Sequence, residues 1–244
     1  MRTWKLQQIT LTIFVTIIIF SACQHDPVFP IIDYAQQVQD NQIIDSAGNI
    51  TKIECDPEII YFEKDVLPIL ISSCAYTGCH DTKTAEEGVI LNNYANTIRT
   101  GKVKPYNPGK SGLYESLFEG GDDRMPPPPD NALSQTEKDI IRDWIGQGAE
   151  NFTCTSCDPT VFTYTLAVVP IMDNYCNRCH NNTRSDGGIS LQGYDKIKIA
   201  ADNGSLLGTI THTGGFPLMP QGAAIPDCEI SQMEHWISEG AQNN

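Results

Sequence analysis

Apolar residues recur at helical spacing in two widely separated stretches of the chain. Ile140, Ile141, Trp144 and Ile145 form one stripe, opened by the capping box Ser134-Gln135-Thr136-Glu137 and closed by Gly148. Ile230, Met233, Trp236 and Ile237 form a second, with Asp227 as its cap and Gly240 just past its end. Two further apolar segments, VLPILISS from Val66 and AVVPIMDNY from Ala167, read as helices if Pro68 and Pro170 sit in their first turns, where a missing N–H costs nothing. Between residues 81 and 124, and again between 181 and 218, the chain is rich in Gly, Asn and Ser. A structureless loop of that length is unusual, so each stretch should hold a short helix or wrap a bound group. Upstream, NQIIDSAGNITKI is a small hairpin or a tether. The pattern predicts a mainly α fold.

The two halves also repeat one another. CDPEIIYFEKDVLPILISSCAYTGCH from Cys55 matches CDPTVFTYTLAVVPIMDNYCNRCH from Cys157: Cys-Asp-Pro, an apolar segment with an internal proline, then paired cysteines ending in Cys-His. The proline lies six residues before the first paired cysteine in both, and a glycine lies eight residues after each histidine, opening GVILNNY at Gly88 and GISLQGY at Gly188. Met125-Pro126 and Met219-Pro220 come next, and ALSQTEKDIIRDWIGQGAEN then aligns without gaps to AIPDCEISQMEHWISEGAQN. A repeat at this spacing predicts two domains of similar fold, residues 55–153 and 154–244, behind a leader at 23–54.

Residues 1–22 carry a basic start, an uncharged run from Ile9 to Phe20 and small residues before Cys23, which is the make-up of a secretory signal peptide. The run is too short to favour a membrane span. Phe20-Ser21-Ala22-Cys23 resembles the lipobox of bacterial lipoproteins, with Phe20 where an aliphatic residue is usual, and that resemblance implies lipidation of Cys23. The chain is then exported and held in the cell envelope by a lipid anchor; the alternative is a simple signal-peptide cut nearby. The formal charge is −14. A charge of that sign argues against nucleic acid as a partner and suits either a protein partner with a basic docking surface or plain solubility of an exported protein.

The chemistry lies at the paired cysteines. Cys176-Asn177-Arg178-Cys179-His180 is a complete C-x-x-C-H segment. On one helical turn its thiols can each add to a vinyl group of haem, and the next side chain, His180, falls under the iron. A Cys176–Cys179 disulfide with a bystander histidine is one alternative. A zinc site is another, although zinc takes four ligands and this segment offers three at most. In the first half Cys74-Ala75-Tyr76-Thr77-Gly78-Cys79-His80 stands at the same place with two extra residues. Cys79 and His80 remain adjacent, and a bulge from Ala75 to Gly78 absorbs the longer path to Cys74. Met125 and Met219, each in a proline-containing loop before the last helix of its half, are the candidate sixth ligands; a thioether raises the iron's potential and leaves no open site. The alternative for each is gap-filling in the core. His212 and His235 are rival ligands for the second iron, although His212 has no counterpart in the first half and His235 reads as a surface residue.

An apolar helix with Val-Leu-Pro-Ile-Leu, a Cys-Cys-His site, Gly-Val-x-Leu-x-x-Tyr, Met-Pro-Pro and a closing Trp-Ile helix ending in Gly-Ala together resemble the haem-binding c-type cytochrome domain common in Bacteroidetes and Planctomycetes. The resemblance covers nearly all of residues 55–244, and the order of elements is similar to that of class I cytochromes c. It implies two tandem class I cytochrome c-like domains with long haem-wrapping loops, two covalently bound haem c groups, and electron transfer outside the cytoplasm. Cys74 and Cys79 would hold one haem with His80 and Met125 on its iron, and Cys176 and Cys179 the other with His180 and Met219. The longer C-x-x-x-x-C-H attachment is known among multihaem cytochromes.

Once Cys23 and the four attachment cysteines are set aside, Cys55, Cys154, Cys157 and Cys228 remain, and an even remainder in an exported protein suggests two disulfides. Cys55–Cys154 with Cys157–Cys228 would join the start of each half to its last helix; a Cys154–Cys157 bridge is the alternative. Together these residues imply a tethered dihaem cytochrome that passes single electrons between a donor and an acceptor protein. Two other classes compete with it: a dihaem peroxidase-like enzyme, which needs a free or displaceable sixth position, and a haem-bearing subunit of a larger oxidoreductase complex.

Overall fold

In each half a helix leads into the paired cysteines and a longer one closes the half. The computed structural model describes residues 42–44, 50–154 and 157–244. Residues 1–22 and Cys23, the expected signal and lipidation site, lie outside the described residues. Strands β1 (Gln42–Ile44) and β2 (Ile50–Ile53) pair antiparallel, so the leader does form a hairpin. Among the described residues everything else that is regular is helical. The first half contains a π-helical turn Phe62–Val66 running into α1 (Leu67–Ser73), then α2 (Tyr94–Thr100), α3 (Gly112–Glu115) and α4 (Gln135–Gly146). The second contains a π-helical turn Tyr164–Val168 running into α5 (Val169–Tyr175), then α6 (Tyr194–Asp202), α7 (Ser205–Thr211) and α8 (Asp227–Ser238). Both glycine-rich stretches therefore hold short helices. Among the described residues no helix is long and apolar enough to cross a membrane.

Pro68 and Pro170 occupy the first turns of α1 and α5, although the chain is already helical before them through the wider turns that precede. The capping box of α4 forms as expected: the Glu137 N–H donates to Ser134 Oγ and the Ser134 N–H to the Glu137 carboxylate. Asp227 is not a cap. It is the first residue of α8, and Pro226, which aligns with Ser134, stands in the capping position and offers no side-chain acceptor. Asp227 instead places a carboxylate in the first turn, where the helix dipole favours it.

Within each half the closing helix packs on the entry turn, α4 on Phe62–Val66 and α8 on Tyr164–Val168. Phe62, Leu70, Ile141, Trp144 and Ile145 are sealed from solvent on one side, and Val168, Met172, Met233 and Trp236 on the other. Each such side chain stabilises by about 1.5–3 kcal/mol on burial. Helices α1 and α5 also pack on each other, so the two halves share a single continuous apolar core.

The closing corners are built alike. Trp144 Nε1–H donates to the Glu150 carbonyl and Tyr94 O–H to the Ala149 carbonyl; Trp236 Nε1–H donates to the Gln242 carbonyl and Tyr194 O–H to that of Ala241. Gly148 and Gly240, at φ of 105° and 90°, supply the left-handed turn that brings those carbonyls round. The disulfides are Cys55–Cys154 and Cys157–Cys228. Cys157–Cys228 ties the start of the second half to its last helix, Cys55–Cys154 ties the start of the first half to the chain eight residues past α4, and the Cys154–Cys157 alternative does not form.

Candidate functional site

Helices α1 and α5 end at Cys74 and Cys176, and the segments beyond them share the same hydrogen bonds at both ends. The His80 N–H donates to the Cys74 carbonyl and the His180 N–H to the Cys176 carbonyl, both at 3.0 Å. The carbonyls of Cys79 and Cys179 accept from Glu86 and Asp186, and those of His80 and His180 accept from Leu91 and Leu191. The two extra residues of the first half therefore disturb neither end of the segment. Cys79 N–H closes a turn onto the Tyr76 carbonyl, where Cys179 N–H closes it onto Cys176, and Gly78 at φ 96° makes the bulge possible.

Cys74, Cys79, Cys176 and Cys179 are all free thiols, so neither paired set is a disulfide. Burial pushes the Cys74 and Cys176 thiols up to about 12, and it raises Cys179 as well; for Cys74 the nearby Arg178 guanidinium works in the opposite direction. Among the described residues no three His, Cys, Asp or Glu side chains are gathered as for a metal ion, so the zinc alternative has no ligand set there. His180 Nδ1 lies 3.2 Å from the Ile189 carbonyl. A proton on Nδ1 satisfies that carbonyl and leaves Nε2 as the free donor atom. His80 Nδ1 is buried without a protein partner.

Met125 and Met219 sit in matching loops. Each is followed by a buried proline across a cis peptide bond, and each N–H is held by the preceding helical region, Met125 on the Ser116 carbonyl and Met219 on that of Thr209. Both methionines are half-buried. His212 and His235 are exposed.

A cleft of about 640 Å³ opens where the halves meet. Ser73 and Pro126, chain neighbours of Cys74 and Met125, line one side, and Arg178, Asn181 and Arg184, around Cys179 and His180, line the other. Sequence reasoning missed the contacts that join these walls. Arg178, inside the second Cys-x-x-Cys-His segment, donates from Nη1 to Glu137 Oε1 at 2.8 Å. Arg184 pairs with Asp130 at 2.8 Å, and Asp130 in turn accepts from the Tyr76 hydroxyl. The one signal that could have marked them is a departure between the copies, Arg178 and Arg184 standing where the first half has Gly78 and Thr84.

Comparison with protein-family models, with curated proteins and with solved structures finds no match for this chain.

Proposed function

We propose that the chain is a dihaem c-type cytochrome that carries single electrons between partner proteins in the cell envelope. The observation that carries this reading is the common hydrogen-bond frame around Cys74-to-His80 and Cys176-to-His180, preserved across an insertion of two residues. Two cysteine-histidine segments of different length are held to one geometry, as expected if both bind the same rigid group. The residues present fit covalent haem. Four thiols outside any disulfide are available for thioether formation, each pair followed by a histidine. His180 offers Nε2 while Nδ1 is engaged, and the buried Arg124 Nη1 beside Met125 has no protein partner, as a propionate contact would leave it in the bare chain.

Haem bound here would supply an iron that changes oxidation state by one electron, its potential raised by a methionine ligand. The chain's own residues would do the rest: His80 and His180 would each bind an iron, and the loops of Met125 and Met219 would offer thioethers as further ligands. Two disulfides support a location outside the cytoplasm. The lipobox-like stretch at Cys23 adds a membrane tether there, and the net charge of −14 suits basic donor and acceptor surfaces.

The test is expression with haem-maturation machinery, then the mass of acid-denatured, solvent-extracted protein and a ferric spectrum before and after peroxide. Two retained haems, a methionine-to-iron band and no peroxide turnover are expected. Fewer than two retained haems overturns the assignment. A high-spin centre that turns peroxide over transfers it to the peroxidase-like class.

A further inference from the structure

The contacts between the halves are reciprocal. Each methionine loop leans on the attachment segment of the other half. Asp130 and Asn131, which come after Met125, meet Arg184 and Arg178 around the second segment. Gly222, just beyond Met219, rests on Ala75 of the first segment so closely that a Cβ there would run into the Ala75 carbonyl oxygen, and its own carbonyl accepts from Asn92 Nδ2 at 3.1 Å. Between these braces α1 packs on α5, and Cys179 Sγ comes within 4.0 Å of the Ser72 carbonyl. A thiol of the second segment thus lies against the end of α1, two residues before Cys74, and the charge of Arg178 reaches Cys74.

We infer that the two centres form one closely coupled unit, and that Arg178 and Arg184 are positioning residues that hold the second attachment segment against the first. This rests on the dihaem reading and goes beyond it. Nothing in a pair of haem sites requires them to touch, and two domains on a linker would serve as independent carriers.

The clasp is specific. Glu137 uses one carboxylate oxygen for the helix cap on Ser134 and the other for Arg178, so its side chain is fixed before the arginine arrives. Asp130 likewise divides its oxygens between Arg184 and Tyr76. Tyr76 belongs to the longer loop of the first segment, and the Arg184 guanidinium also lies 5.8 Å from its ring centre. The insertion that lengthens the first attachment segment therefore also supplies its link to the second. The side chains of the Arg178–Glu137 pair are 22 % and 24 % exposed, so losing one partner leaves the other poorly solvated.

The experiment compares the full haem-loaded chain with Arg178→Gln/Arg184→Gln and with Arg178→Lys/Arg184→Lys. Haem count by mass comes first, then circular dichroism across the Soret band and a stepwise redox titration. Close coupling predicts a two-signed Soret couplet and a second reduction step displaced by the first. The glutamine variant should keep both haems yet lose the couplet and titrate as two independent centres, and the lysine variant should recover part of both signals. A wild-type chain with two haems and a single-signed band overturns the inference while leaving the dihaem reading intact, as does a glutamine variant indistinguishable from wild type. Fewer than two haems in the wild type overturns both.

Discussion

Removing the disulfides one at a time tests whether the repeated halves share one stability. Cys55–Cys154 closes a separation of 99 residues and Cys157–Cys228 one of 71. If each bridge acts by limiting the unfolded chain, its loss costs about 4.7 and about 4.4 kcal/mol respectively at 25 °C, a difference of only about 0.3 kcal/mol. With a urea dependence of about 3 kcal/mol per molar for a chain of this size, each loss lowers the unfolding midpoint by roughly 1.5 M. The shared core adds a second expectation. Leu70 and Ile71 on α1 belong to the same apolar body as Ile171 and Met172 on α5, so neither half has a core it can keep when the other opens. The variants are Cys55→Ser/Cys154→Ser and Cys157→Ser/Cys228→Ser, unfolded in urea and monitored by far-ultraviolet circular dichroism and tryptophan fluorescence. One transition, coincident by both probes and shifted alike in both variants, is the expected result. A bridge whose loss shifts the midpoint by less than a few tenths molar, or two separable transitions of which each variant moves one, refutes the reasoning.

Tyr94→Phe and Tyr194→Phe each remove one hydroxyl that donates to a carbonyl in the closing corner, at 2.9 and 2.8 Å, and each should cost about 1 kcal/mol by urea unfolding. The sites lie in different halves, so the double variant should lose the sum to within about 0.5 kcal/mol; a neutral change at one of them shows that the matched geometry is not matched energetically. Glu229 aligns with Glu137 but has no serine cap to bind, and burial raises its carboxyl above the ordinary value. A raised folded value means that its contribution favours the fold at low pH and is lost as pH rises through that value, so Glu229→Gln should unfold at higher urea than wild type at pH 7. That advantage should vanish near pH 4, where both states of the native chain are largely protonated; a glutamine variant less stable at pH 7 contradicts this.

Legibility in the sequence extends to whatever depends on neighbours along the chain. The stripe Ile141, Trp144 and Ile145 lies on one helical face, the capping box needs only Ser134 and Glu137, and the left-handed corners need Gly148 and Gly240; all of these form. The disulfides are within reach because four cysteines at the ends of two repeats leave few pairings. The cap expected at Asp227 is displaced by one position, since an acidic residue beside a proline suggests a cap on its own, whereas alignment to Ser134 puts Pro226 there. The wider helical turns before Pro68 and Pro170 are not legible either, because helical periodicity alone does not distinguish five residues of one pitch from five of another.

The boundary between the halves is illegible for a different reason. A repeat reports what both copies need, which is their internal frame, and the residues that join two copies must differ between them because each faces the other rather than itself. Arg178 stands opposite Gly78 in the alignment and Arg184 opposite Thr84, while Tyr76 falls in the two-residue insertion. Along the chain each is indistinguishable from noise in an otherwise regular pattern. In the folded chain these departures converge on Glu137 and Asp130 and set the second Cys-His segment beside the first. Where a tandem protein works by passing something between its copies, the positions at which the repeat breaks are the ones to examine for the passage.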